Sequence, residues 1–287
     1  MLAPVGIRRV VVVILDGLRA DAIPLFGLPV LGGLASRGAA TFGARTVSPS
    51  ITNAALTSLL TGVGPAVHGL ASDRIALPPD PRRLTPLPKV LRAGGVPTLG
   101  FRGGLPFAFR GIGKRIAQGL GAEISFGGSC ASEILDRALP SLGRESSGMW
   151  LLHWPDADTV GHASGWSSQA YLKAALEYDV MVGRLLRETG ALRDPGTVLI
   201  LLADHGGGGR VAKDHASDHP LDTSIPLIIA GGQVRQADLG RGCSLLDVPA
   251  TIPWLFGLRT PSGYQGRILR EAFLHQSDGL MAIRAAA

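Results

Sequence analysis

At 287 residues, with 46% apolar and 17% charged side chains, 40 glycines and 20 prolines, the chain can bury a large core and needs many turns. That composition excludes a disordered chain. The formal charge of +6 suits an anionic substrate, but Arg82-Arg83 and Lys114-Arg115 are short pairs without interleaved aromatics, so no nucleic-acid binding is expected.

Arg8-Arg9 followed by Val10–Leu15 imitates the start of a signal peptide. The apolar run is too short, ends in Asp16 and has no small-residue cleavage site after it, so it reads as a buried strand. No run approaches the roughly 18 apolar residues of a membrane span, and no membrane association is expected. Asn53–Leu60 follows a Ser-Pro-Ser-Ile-Thr turn and reads as a helix with Thr52 or Asn53 as N-cap. Pro88–Ala93 reads as a short helix stopped by Gly94-Gly95. Residues 63–147 are otherwise irregular and rich in Pro and Gly; they fit one unit over Thr85–Phe101 plus a possible small lobe or loop covering the site. Cys130 and Cys243 stand in unrelated contexts, which predicts no disulfide and a reducing, cytoplasmic setting.

Gly148–His153 and Thr197–Ala203 repeat the continuous Val/Ile/Leu pattern of Val10–Leu15, as strands of a parallel sheet covered on both faces do. Ile225–Ala230 is a fourth candidate. Between them, Ser167–Thr189 carries an apolar stripe at helical spacing, closed by Gly190, and Asp247–Phe256 is a short helix interrupted by Pro253. The alternation predicts an α/β fold, a mostly parallel central sheet with helices on both faces, in one domain over residues 1–287.

The first three strands end in chemistry: Asp16, then Pro155-Asp156-Ala157-Asp158, then Asp204-His205 before four glycines. Ligands of open α/β sheets bind beyond the carboxyl ends of the strands, so these residues should gather at one edge. Asp158 and His162 lie four apart, and Asp214-His215-Ala-Ser-Asp218-His219 crowds further ligand types into a loop. A buried Asp16 needs a partner, either Arg19 or a metal. Thr52 starts a helix, where N–H groups and the dipole favour an anion, and its hydroxyl needs a base or metal to become nucleophilic. Together these groups suit a bimetallic phosphoryl-transfer site.

The sequence resembles the alkaline phosphatase superfamily, within it the type I phosphodiesterase/nucleotide pyrophosphatase group. The matching segments are Val-Ile-Leu-Asp16-Gly-Leu-Arg, Ser-Pro-Ser-Ile-Thr52-Asn-Ala-Ala-Leu-Thr-Ser-Leu-Leu-Thr61-Gly62, Val67-His68-Gly69-Leu70, Asp158-Thr-Val-Gly-His162, Ala-Asp204-His205-Gly-Gly, and His215 before Ile225-Pro226. The resemblance implies two divalent cations, zinc first among them. Asp158, His162 and His215 would hold one; Asp16, Asp204, His205 and Thr52 would hold the other. Asp156 and His219 are the rivals of Asp158 and His215. Thr52 would be the nucleophile of a phospho-threonine intermediate, with Asn53 stabilising the phosphoryl oxygens. Where nucleotide pyrophosphatases carry Phe-Pro-Asn after the nucleophile, this chain has Asn53-Ala54-Ala55, and neither cysteine lies in a formylglycine motif of sulfatases. The expected substrate is a small anionic phosphoester, a diester or pyrophosphate before a monoester or phosphonate. Arg102, Arg210 and Lys213 are the candidates to meet a monoester's extra charge. A phosphoglycerate mutase-like phosphotransferase and an inactive anion-binding relative are the alternatives.

Overall fold

The computed structural model describes residues 3–274 apart from 73–75, 77 and 104–106, with only the backbone of 107–109. The strands are β1 (Arg9–Leu15), β2 (Ala39–Arg45), β3 (Thr98–Arg102), β4 (Glu123–Phe126), β5 (Gly148–Trp154), β6 (Thr197–Leu202), β7 (Ser224–Gly231) and β8 (Ala237–Asp238). They form one eight-stranded sheet in the order β4-β3-β5-β1-β6-β7-β2-β8. The helices are α1 (Ala22–Phe26), α2 (Pro29–Arg37), α3 (Thr52–Thr61), α4 (Pro65–His68), α5 (Leu87–Ala93), α6 (Phe107–Gly119), α7 (Ala131–Arg144), α8 (Asp156–Ser164), α9 (Gln169–Thr189), α10 (Pro220–Thr223) and α11 (Asp247–Leu255).

Helices α2, α7, α8 and α9 pack as one layer, and α3, α5 and α11 as another. Val10–Leu15 of β1 are buried throughout, which is why that strand carries apolar side chains without alternation. Removing one such side chain to Ala costs about 2–4 kcal/mol. On α9, Tyr171, Ala174, Ala175, Tyr178, Met181, Val182 and Leu185 are the buried face, and Ser168 caps it by accepting from the Tyr171 N–H.

The parallel core is β4-β3-β5-β1-β6. The Ile225–Ala230 strand departs from it: β7 pairs antiparallel with β6 and with β2. A parallel return needs a crossover of a dozen residues or more, usually a helix. Residues 203–223 are instead spent at the edge where β6 ends, so β7 starts there and runs back. Residues 63–147 contribute β3 and β4 with their flanking helices; the parts of the expected lobe at 73–75, 77 and 104–106 lie outside the described residues. No helix among the described residues is long and apolar enough to cross a membrane.

Candidate metal centre

Strand register brings the acidic residues together. Leu15 of β1 pairs with Trp154 of β5, and Ile14 pairs with Leu202 of β6, so the three strands end level. The chain then delivers Asp16, the first turn of α8 with Asp156 and Asp158, and Asp204-His205 to a single edge. Cross-links hold these ends in place. The Asp158 N–H donates to the Asp16 carbonyl (3.1 Å), and the Gly17 N–H to Asp204 Oδ1 (3.3 Å). Strand β2 runs in the same direction as β1, and the loop after it reaches this edge too: Thr46 Oγ1 donates to the Asp204 carbonyl and Ser50 Oγ to that of Ser217. Thr52 follows as the first residue of α3. The N-cap is Ile51, so Thr52 does not cap the helix and its hydroxyl is available to the site.

Two ligand clusters result, Asp158/His162/His215 and Asp16/Asp204/His205, each with its donor atoms within 4.8 Å of one another. Backbone carbonyls fix the three imidazoles. Nδ1–H of His205 donates to the Gly206 carbonyl (2.8 Å), that of His162 to the Lys213 carbonyl (2.9 Å), and that of His215 to the Ser50 carbonyl (2.6 Å). Each Nε2 is thereby left as a lone pair turned inward, the tautomer that ligates metals. His162 Nε2 and His215 Nε2 are 3.1 Å apart, two lone pairs that a shared cation would reconcile. Asp158 Oδ1 lies 3.4 Å from His162 Nε2 and 3.6 Å from His215 Nε2; Asp16 Oδ1 lies 3.3 Å from His205 Nε2. Asp16 Oδ1, Asp158 Oδ1 and Asp204 Oδ2 are buried without hydrogen-bond partners. Orphaned carboxylate oxygens facing imidazole lone pairs are the donor set of a divalent cation, so the residues fit two such ions. Thr52 Oγ1 is 3.0 Å from His205 Nε2, inside the second cluster.

Electrostatics agree. Burial, then the neighbouring Asp204 and Asp158, push the Asp16 carboxyl well above its ordinary pKa, and burial raises that of Asp158. Burial also opposes ionisation of Asp204, but His205 and His153 hold it below the usual value. Burial, then His205, lowers the His215 pKa. His153, the last residue but one of β5, holds Nε2 3.0 Å from Asp16 Oδ2, a neighbour that sequence reasoning missed; the signal was a histidine closing an apolar run one strand from Asp16. Burial, then Arg102, depresses the His153 pKa to about 3. A depressed histidine binds its proton more readily in the unfolded chain. It therefore removes stability as pH falls from about 6.5 towards 3, by up to about 1.4 kcal/mol per pH unit. In urea titrations of metal-free protein, His153→Asn is expected to flatten this acid limb. An unchanged slope would assign the acid sensitivity to other groups.

The remaining candidates have other tasks. Asp156 accepts from the Ala131 N–H at the start of α7, and His219 Nδ1 accepts from the Leu221 N–H at the start of α10; neither joins a cluster. Arg19 pairs with Asp21, leaving Asp16 to the metal side of the alternative. Arg210 pairs with exposed Asp218, and Lys213 Nζ donates to the Ala163 carbonyl (2.8 Å). Asn53 sits beside Thr52 in the first turn, with its Nδ2 donating to the Ser72 carbonyl (3.1 Å). Asp158 and His162, four apart in sequence, join one cluster because they are one turn apart on α8.

An α/β sheet with two Asp/His clusters and a hydroxyl at its carboxyl edge defines a metal-binding class. The profile of the metalloenzyme superfamily matches residues 98–260, and that of type I phosphodiesterase/nucleotide pyrophosphatase matches residues 10–85. The chain belongs to the metalloenzyme superfamily and, with it, to the alkaline phosphatase superfamily. It is 27% identical over 180 residues to a 2,3-bisphosphoglycerate-independent phosphoglycerate mutase of Shewanella halifaxensis, covering 59% of this chain and 32% of the mutase. It is 28% identical over 201 residues to a phosphopentomutase of Anaeromyxobacter, covering 69% of this chain and 46% of that protein. The chain thus spans less than half the length of these relatives. Among solved structures, murine ectonucleotide pyrophosphatase/phosphodiesterase 5 superposes with a TM-score of 0.72 at 12% identity, covering 93% of this chain and all of that one. A phosphonate monoester hydrolase of Agrobacterium radiobacter gives 0.69 at 14% identity, covering 93% and 77%. These likenesses establish the fold.

Proposed function

We propose that the chain is a two-metal phosphoester hydrolase with Thr52 as nucleophile and a small phosphodiester or pyrophosphate as substrate. The observation that carries this reading is Thr52 Oγ1 set 3.0 Å from His205 Nε2, beside two Asp/His clusters with orphaned oxygens. Asp158, His162 and His215 would hold one ion and Asp16, Asp204 and His205 the other; mixed imidazole–carboxylate donors make zinc our choice. Such ions supply Lewis-acid activation and neutralise developing phosphoryl charge.

The chain's own residues account for the rest. Thr52, its proton lost to solvent, attacks phosphorus in line; the bond to the leaving oxygen breaks, and that oxygen takes a proton from solvent. The phospho-Thr52 bond is then cleaved by water, which returns the Thr52 hydroxyl and releases the phosphate product. The first turn of α3, with the backbone N–H of Asn53, faces the phosphoryl oxygens and favours their charge. A diester is favoured over a monoester because two of the three cations considered for a second phosphoryl charge, Arg210 and Lys213, are engaged with Asp218 and Ala163, and the charge of the third, Arg102, acts on Asp16 and Asp204. Both cysteines are free, which supports a cytoplasmic setting.

A second reading, phosphoryl transfer between hydroxyls, is supported by the mutases among the relatives. One experiment separates the two. Zinc-loaded protein is given a bis-aryl phosphate, an aryl monoester, an aryl phosphonate, an aryl sulfate, and a phosphoglycerate or phosphopentose. Hydrolysis is expected on the diester first, with about two equivalents of metal per chain. Isomerisation of the sugar or glycerate phosphate without release of phosphate would replace hydrolysis by the mutase reading. No turnover of any of them would remove both.

A further inference from the structure

One charged group at this edge has no place in the chemistry above. Arg102 ends β3 opposite His153 of β5, and His153 in turn touches Asp16 at the end of β1, so three neighbouring strands present Arg, His and Asp side by side. The Arg102 Nε is buried without a hydrogen-bond partner, and among the described residues the guanidinium forms no ion pair. Arg19 pairs with Asp21, and Arg9, whose Nε is likewise buried without a partner, is anchored through Nη2 to the Leu142 carbonyl. A buried cation without a direct partner is costly unless the surrounding field offsets it. Burial is the main influence on Arg102, and the charges that act against it are Asp16 and Asp204.

We propose that Arg102 is the resident cation of the second cluster: it holds the Asp16/Asp204 pair together when no metal is bound, and it restrains metal affinity there once the ion enters. The inference rests on the two-metal reading. With both carboxylates ionised, as metal binding requires, Asp16 and Asp204 carry −2; Arg102 reduces this to −1, and a divalent ion then brings the cluster to +1. Without Arg102 the empty cluster is a bare dicarboxylate, and the loaded one is neutral. Like charge next to the ion weakens its binding, and the excess positive charge left on the loaded cluster favours an anionic substrate. A residue that merely oriented Asp16 would act in the opposite direction, because its loss would weaken metal binding.

The test is zinc binding by calorimetry, with thermal melting of metal-free and zinc-saturated protein, for wild type, Arg102→Met and Arg102→Lys. Arg102→Met is expected to bind zinc at the second cluster at least about 10-fold more tightly. Metal-free Arg102→Met should melt about 4 °C lower than wild type, while the zinc-saturated forms melt within about 2 °C of each other. Arg102→Lys keeps the charge and should stay near wild type on both readouts. Unchanged or weaker zinc binding in Arg102→Met, or equal losses of stability with and without zinc, would overturn the proposal. Should Arg102→Met not fold, Arg102→Gln against Arg102→Lys makes the same comparison. If wild type takes up fewer than two equivalents, the two-metal reading fails and this inference with it; if it takes up two and the variants do not differ, only the role of Arg102 is lost.

Discussion

Thr52→Ala is expected to lower turnover of a bis-aryl phosphate by about 10⁴-fold or more while leaving the protein folded and able to bind both metals. The size follows from what the hydroxyl alone does in the proposed reaction: it is the atom that forms the bond to phosphorus, and the nearest imidazole, His205, is already committed through Nδ1 to the Gly206 carbonyl. The mildness towards the fold follows from position. Ile51, not Thr52, caps α3, so removing Oγ1 deletes no cap, and the change should cost less than about 1 kcal/mol. Thr52→Ser keeps the hydroxyl and should retain activity within about tenfold. Steady-state kinetics together with metal analysis read the outcome: turnover by Thr52→Ala within a factor of ten of wild type would leave the chain without its nucleophile.

That the Asp and His residues of the two clusters could be picked out of the sequence has a physical basis beside the family resemblance that sorted them into two sets and assigned Thr52. Val10–Leu15, Gly148–His153 and Thr197–Ala203 are covered on both faces, so their apolar runs are continuous, and a candidate ligand follows the first and third at once and the second within five residues. Partial burial hides a strand. Ala39–Arg45 of β2 alternates between buried and exposed positions and has a register break between Thr41 and Ala44, so it has neither a continuous nor a clean alternating pattern. Direction was illegible for Ile225–Ala230, because a strand buried on both faces has the same composition whichever way it runs. Helix α8 escaped because Asp-Ala-Asp-Thr-Val-Gly-His-Ala-Ser turns only Ala157 and Gly161 into the core, too few for an apolar stripe. Arg102 and His153 could not be paired from sequence at all. They meet only because β3 lies beside β5, a neighbour relation that sheet order decides and local pattern does not.

Gly17→Ala is expected to damage both stability and catalysis, far beyond what one methyl group does at most surface positions. Gly17 follows Asp16 with φ +70°, a left-handed backbone that costs an alanine about 1 kcal/mol. A Cβ there would also stand 2.8 Å from Asp158 Cα and 2.9 Å from Asp158 N and Cβ. The obstacle is the backbone of α8, which cannot rotate away as a side-chain tip can, so crowding adds about 1–3 kcal/mol. Trp166 holds the other side of the turn, donating through Nε1 to the Gly17 carbonyl (2.9 Å), as does Tyr171 through its hydroxyl (3.0 Å). With the turn gripped from behind, Asp16 and Asp158 must separate, and they belong to different clusters. The expected loss is about 2–4 kcal/mol, a Tm lower by about 5–15 °C, and at least about 10²-fold in kcat. Gly27→Ala supplies the control: its φ is +60°, but a Cβ there meets nothing within 4 Å, so it should lose only the backbone share of stability and keep full activity. Equal behaviour of the two variants would mean that close contact at Gly17 does not set the distance between the clusters.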